Sequence, residues 1–154
     1  MKQDSACLCG VSRFAVSGDP MGRFFCHCTI CQNVYRKPFA DATFFWARSI
    51  ALPDRHDIEF RRYRPPPALN RGICRRCRNP VVAFMAAGPL SIGFVPSQNF
   101  EKPAELPEPA RHIFYDRRVA DVTDSIPKIG GYWSSEAYVI KRIVGALFRS
   151  NGGA

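Results

Sequence analysis

No stretch of about 18 uncharged apolar residues occurs in the 154-residue chain, so the hydropathy pattern offers no membrane-spanning helix. Residues 1–5 carry Lys2 and Asp4 and no apolar run of the secretory type, and a soluble, cytoplasmic protein is expected, with no membrane partner. Internal repeats are lacking as well. Thirteen prolines and eleven glycines, spread throughout, leave little room for long helices. At this length a single domain with one well-buried core is the economical arrangement.

Acidic residues are scarce beside basic ones, 13 against 22, which leaves a formal charge of +9 and a pI near 9.5. Such a field attracts small anions as readily as nucleic acid. The arginine-rich stretch at residues 71–78 has no interleaved aromatics to stack on bases, and no helix suited to a DNA groove is visible. Nucleic acid is therefore not the expected partner. A non-catalytic zinc module that binds nucleic acid or protein is the competing reading.

Cysteine is what the chain has in quantity. Seven is an odd number, and in a reducing compartment clustered thiols serve as metal ligands or redox groups more often than as disulfides. They divide into Cys7-x-Cys9 with Cys74-x-x-Cys77, and the compact Cys26-His27-Cys28-Thr29-Ile30-Cys31. Cys7 and Cys9, two apart in an extended segment, share a face. Cys74 and Cys77 have the spacing of a zinc knuckle. Gly10 and Gly72 are read as turn residues beside them. Four thiolates close a tetrahedron around Zn²⁺ and make a structural site. The alternative, a redox pair at Cys74 and Cys77, expects a strand–helix–strand context that residues 65–77 do not supply.

In the second group Cys26 and Cys28 again share a face, and Cys31 returns its sulfur to the same point if the chain turns at Thr29 and Ile30. Three ligands leave a fourth position open to water or to a substrate sulfur. His27, between them, is read as pointing away from the metal, against the alternative of a fourth ligand that closes a second structural site. Two zinc ions are thus expected. Seven bound thiolates and two Zn²⁺ would bring the net charge to about +6.

Short strands are expected at residues 11–16, 42–50, 57–63, 81–86, 90–95 and 111–115, with 81–86 and 90–95 at the centre of a sheet. Residues 65–67 read as a polyproline-like link. The one good helix lies near the end, with Ser134 or Ser135 as its N-cap. Ile140, Ile143, Val144, Leu147 and Phe148 repeat at helical spacing. Docking of that stripe on the domain or on a second copy is expected, and a homodimer through this helix is one outcome.

Taken together, the Cys7-Leu8-Cys9-Gly10, Cys26-to-Cys31 and Cys74-Arg75-Arg76-Cys77 motifs resemble the family of glutathione-dependent formaldehyde-activating enzymes and centromere protein V. Phe100-Glu101-Lys102-Pro103 and His112-Ile113-Phe114 agree with it, and the resemblance covers roughly residues 6–133. It implies a mainly β, Mss4-like fold with a structural zinc at Cys7, Cys9, Cys74 and Cys77, and a catalytic zinc at Cys26, Cys28 and Cys31. It also implies a carbon–sulfur lyase chemistry in which a small thiol such as glutathione adds to formaldehyde. The expected division is a zinc-binding domain at 1–133, a helical extension at 134–150 and a flexible tail at 151–154. For glutathione carboxylates, Arg36, Lys37, Arg61, Arg62, Arg64, Arg75, Arg76, Arg78, Arg117 and Arg118 are the candidate cations.

Overall fold

The computed structural model describes residues 1–65 and 68–151. Pro66 and Pro67 of the expected polyproline-like link, and residues 152–154 of the expected tail, lie outside the described residues. The chain is mainly β, with two sheets and two α-helices among the described residues. A small antiparallel sheet is built from β1 (Lys2–Ala6), β2 (Arg13–Ser17) and β5 (Ile50–Ala51), in the order β1-β2-β5.

The large sheet has seven strands: β3 (Gly22–Cys26), β4 (Ala40–Trp46), β6 (Ile58–Arg62), β7 (Asn70–Cys74), β8 (Pro80–Met85), β9 (Ile92–Pro96) and β10 (His112–Ile113). Their order is β10-β3-β4-β9-β8-β7-β6. Only β10 against β3 is parallel; the other pairs are antiparallel. The apolar runs expected to be central do form β8 and β9, in the middle of that order.

On β4, Phe44 and Phe45 are both fully buried although they face opposite ways. Phe44 packs with Phe24, Phe94, Val34 and Ala146, whereas Phe45 packs with Phe14, Val16, Ile50 and Val95. The large sheet is therefore covered on one face by the helices and on the other by the small sheet. Burial of each such side chain contributes about 1.5–3 kcal/mol. Two-sided burial also explains why the expected alternation over residues 42–50 stops early: the chain leaves the sheet after Trp46, turns at Ala47–Ser49 and enters β5.

Helix α1 (Thr29–Tyr35) was not expected as a helix; the turn foreseen at Thr29 and Ile30 is its first turn. It buries Cys31, Val34 and Tyr35 on one face and ends at Arg36 in a left-handed conformation. Helix α2 (Tyr132–Asn151) begins before the serines proposed as its cap. Instead of capping, Ser135 accepts the backbone N–H of Phe114 at 2.8 Å, so its hydroxyl ties the helix to the end of β10. The apolar stripe is also divided. Ile143 and Leu147, with Val139 and Ala146, pack on the core, while Ile140, Val144 and Phe148 are exposed. The docked face is rotated relative to the one read from spacing, because Ser135 and Arg142, which donates to the Met21 carbonyl at 3.2 Å, are part of it. Among the described residues no helix is long and apolar enough to cross a membrane.

Gly72 is a strand residue in β7 and not a turn residue. A Cβ there would lie 2.8 Å from Ile58 Cγ2 and 2.9 Å from the Phe60 ring, and the ladder to β8 shifts register beside it. Gly10, by contrast, has φ +78° and does make the turn, donating its N–H to the Cys7 carbonyl at 2.8 Å.

Candidate active site and metal centres

The loop after β1 and the turn from β7 to β8 meet at four sulfurs. Cys7 Sγ lies 3.4 Å from Cys9 Sγ, which is 3.7 Å from Cys74 Sγ, and with Cys77 all four lie within 4.8 Å of one another. Sulfurs about 2.3 Å from a tetrahedral Zn²⁺ stand about 3.8 Å apart, so the donor set and its span fit that ion. Cys7 and Cys9 converge through the Gly10 turn and not through strand alternation, since β1 ends at Ala6. Burial pushes the Cys7 thiol up, but the Ser12 N–H, 3.4 Å from its sulfur, and the neighbouring sulfurs bring the net direction down. The Cys77 N–H lies 3.5 Å from Cys74 Sγ. Backbone N–H groups thus soften the thiolate charge, as in metal knuckles.

The second cluster stands on the other face of the large sheet. Cys26 ends β3, Cys28 precedes α1 in an extended conformation and Cys31 lies in the first turn of α1. Their three sulfurs also lie within 4.8 Å of one another. The Cys31 N–H approaches Cys28 Sγ at 3.4 Å, so the thiol is the helix cap. Cys26 and Cys31 also hydrogen-bond to Cys28, which drops its pKa to about 2, while Cys26 is driven up. Three thiolates match a zinc ion that keeps one position open.

His27 faces away from these sulfurs. Its Nε2 lies 2.8 Å from His112 Nδ1, and His112 Nε2 lies 2.8 Å from Asp124 Oδ2. An ionised carboxylate only accepts, so His112 donates through Nε2 and accepts through Nδ1, which leaves His27 as the Nε2–H tautomer. Both imidazoles are buried. Burial first, then the neighbouring His112, lowers the His27 pKa to about 4 and keeps it neutral. Lys128, 2.7 Å from Asp124 Oδ1, and then His112 hold the Asp124 carboxyl down at about 2. Gln32 adds a clamp by donating to the carbonyls of His27 at 2.6 Å and Arg117 at 2.8 Å. The loop that carries Cys26 and Cys28 is thereby fixed from behind.

In front of the three sulfurs opens a cavity of about 500 Å³. Phe24, Ala42, Phe94 and Ile113 line its depth, and Val139 and Ile143 of α2 form one wall. Of the cations named from sequence, Arg64 and Arg117 line this cavity. Arg36 is bonded to the Cys77 carbonyl and Asn79, Lys37 to Gln98, Arg61 and Arg78 to Glu59, Arg75 to the His56 carbonyl and Arg118 to Asp121. The cation missed from sequence is Arg71. It enters the lining from β7, and although burial opposes its charge, the Cys31 and Cys28 thiols raise its pKa. A strand pairing that sets β7 across from β8 is what brings it there, and no local motif marks it.

The chain is thus a mainly β protein with one four-thiol cluster and one three-thiol cluster beside an apolar cavity, each of which could hold a metal ion. The family model for glutathione-dependent formaldehyde-activating enzyme matches residues 2–117, and the chain belongs to that family. Among curated proteins, none matches the sequence. Both cysteine clusters fall inside the matched span, whereas Asp124, Lys128 and α2 lie beyond it.

Proposed function

We propose that the protein is a carbon–sulfur lyase-type enzyme that joins a small thiol such as glutathione to a small carbonyl such as formaldehyde, and reverses that reaction. The observation that carries this reading is the convergence of Cys26, Cys28 and Cys31 at a cavity whose mouth holds Arg64 and Arg117. In the forward direction the thiol sulfur bonds to the carbonyl carbon, the π pair of the C=O bond passes to oxygen, and the thiol proton ends on that oxygen. Nothing is oxidised or reduced.

Cys26, Cys28 and Cys31 would hold the catalytic zinc, and Cys7, Cys9, Cys74 and Cys77 the structural one. When bound at the three-thiol site, Zn²⁺ supplies an open coordination position and lowers the pKa of an incoming thiol. Arg71 offsets the anionic charge that three thiolates and one further sulfur accumulate in a poorly solvated place. Arg64 and Arg117 offer guanidinium donors to the carboxylates of the thiol. Phe24, Phe94 and Ile113 exclude water from the reacting carbon.

The test is exchange spectroscopy on glutathione and formaldehyde with the zinc-loaded protein, beside Cys28→Ser. The wild type is expected to speed exchange between free and adduct glutathione, and Cys28→Ser, short of one of the three ligands, to lose most of that effect. Equal acceleration by both proteins would overturn the reading.

A further inference from the structure

The cavity in front of Cys26, Cys28 and Cys31 is built for more than a one-carbon aldehyde. Apart from the thiols and Tyr35, every fully buried residue of its lining is apolar; the charged residues Arg71 and Glu136 are half-buried, and Arg64, Asp116 and Arg117 are exposed. The lining around the sulfurs is thus mainly hydrocarbon and aromatic, with Arg71 as the cation beside them and further charge at the mouth. A volume of about 500 Å³ lies within the range of roughly 300–1,000 Å³ typical of sites for drug-sized ligands. Formaldehyde has no apolar surface to set against such walls, and the charged ends of glutathione gain nothing from them. The outer wall is Val139 and Ile143 of α2, which stands beyond the family match. Helix α2 is pinned there by Ser135 on the Phe114 N–H and by Arg64 stacked 5.6 Å over the Tyr132 ring.

We propose that the carbonyl partner of this enzyme is an aldehyde with an aryl or branched-alkyl body, and that α2 is a specificity-determining wall for it. The body seats in the apolar depth with its carbonyl carbon toward the three sulfurs, and the thiol keeps its carboxylates at the Arg64 and Arg117 mouth. The sulfur–carbon bond forms, the π pair passes to oxygen and the thiol proton follows it, as for formaldehyde. This inference rests on the thiol-adduct reading above and names the substrate class of the same site.

Stable thioethers separate the two claims. Calorimetry on the zinc-loaded protein should find S-benzylglutathione bound at least tenfold tighter than S-methylglutathione, which is about 1.4 kcal/mol. Ala83→Leu fills the cavity from β8 and Val139→Phe fills it from the half-buried face of α2. In either variant, with circular dichroism unchanged, the benzyl preference should fall to less than threefold. Exchange rates should follow the same order, phenylacetaldehyde over formaldehyde with glutathione as the thiol. Equal binding of the two thioethers would overturn the apolar-body proposal. An arylalkyl thiol with formaldehyde preferred over glutathione with phenylacetaldehyde would overturn it too, by placing the body on the sulfur partner. A cobalt-substituted protein whose absorption ignores glutathione would instead sink the underlying thiol-adduct reading, and this inference with it.

Discussion

Single residues around the three sulfurs divide into those that supply charge and those that hold position. Arg71 interacts with Cys28, Cys31 and Tyr35 and places a cation where a divalent metal with three thiolates would carry net negative charge. Arg71→Met should weaken Zn²⁺ at that site by about tenfold in chelator competition, in line with the loss of a supporting neighbour, while the four-thiol site keeps its affinity. Glu136, in the second turn of α2, lines the same cavity. Burial raises its pKa, which Arg64 opposes and Cys28 reinforces. A carboxyl with a raised folded pKa binds its proton more tightly folded than unfolded, so stability falls as pH rises through 4.5 toward the folded value. Glu136→Gln should therefore raise the melting temperature at pH 7, with the gain fading below about pH 4.5, where both states are protonated. A gain that persists unchanged at pH 4 would contradict this.

Among the elements, what the sequence makes legible is what depends on local pattern. The apolar runs of β8 and β9, the cysteine spacings and the existence of α2 all follow from residue type at short range. Helix α1 does not, because Thr, Ile, Val and Asn are modest helix formers and seven residues are too few for a period to show. Its cap is a thiol, outside the usual capping set. The docked face of α2 does not follow from spacing, for a related reason. Spacing says which apolar residues share a stripe, but Ser135 and Arg142 choose the docked side through bonds to Phe114 and Met21. Gly72 looks like a turn glycine beside Cys74, yet its role is the close approach of β6 to β7. Gly72→Ala should cost about 1–3 kcal/mol by overpacking, read as a lower midpoint in urea denaturation. A change below about 0.5 kcal/mol would show that Ile58 and Phe60 can yield.

For the molecule as a whole, the two cysteine clusters occupy opposite faces of one sheet, and the proposed function gives them different work. The four-thiol cluster joins the loop after β1 to the turn after β7, near residues 7 and 77, so its ion would close most of the first half of the chain. Metal held only by the folded state adds its binding free energy to folding. Cys74→Ser should therefore lower the melting temperature well beyond 5 °C and reduce soluble yield, whereas Cys28→Ser should lose one metal equivalent and keep the fold. Equal collapse of both variants would make both sites architectural.

The central claim is that one cluster seals its ion and the other leaves a corner for a substrate sulfur. X-ray absorption at the zinc edge on the two-zinc protein tests it directly. The expected spectrum without thiol holds about 3.5 sulfurs per zinc, with a lighter scatterer at about 2.0 Å completing the three-thiol site. Added glutathione should displace that scatterer and bring the average to 4. A spectrum that glutathione leaves unchanged would contradict the account.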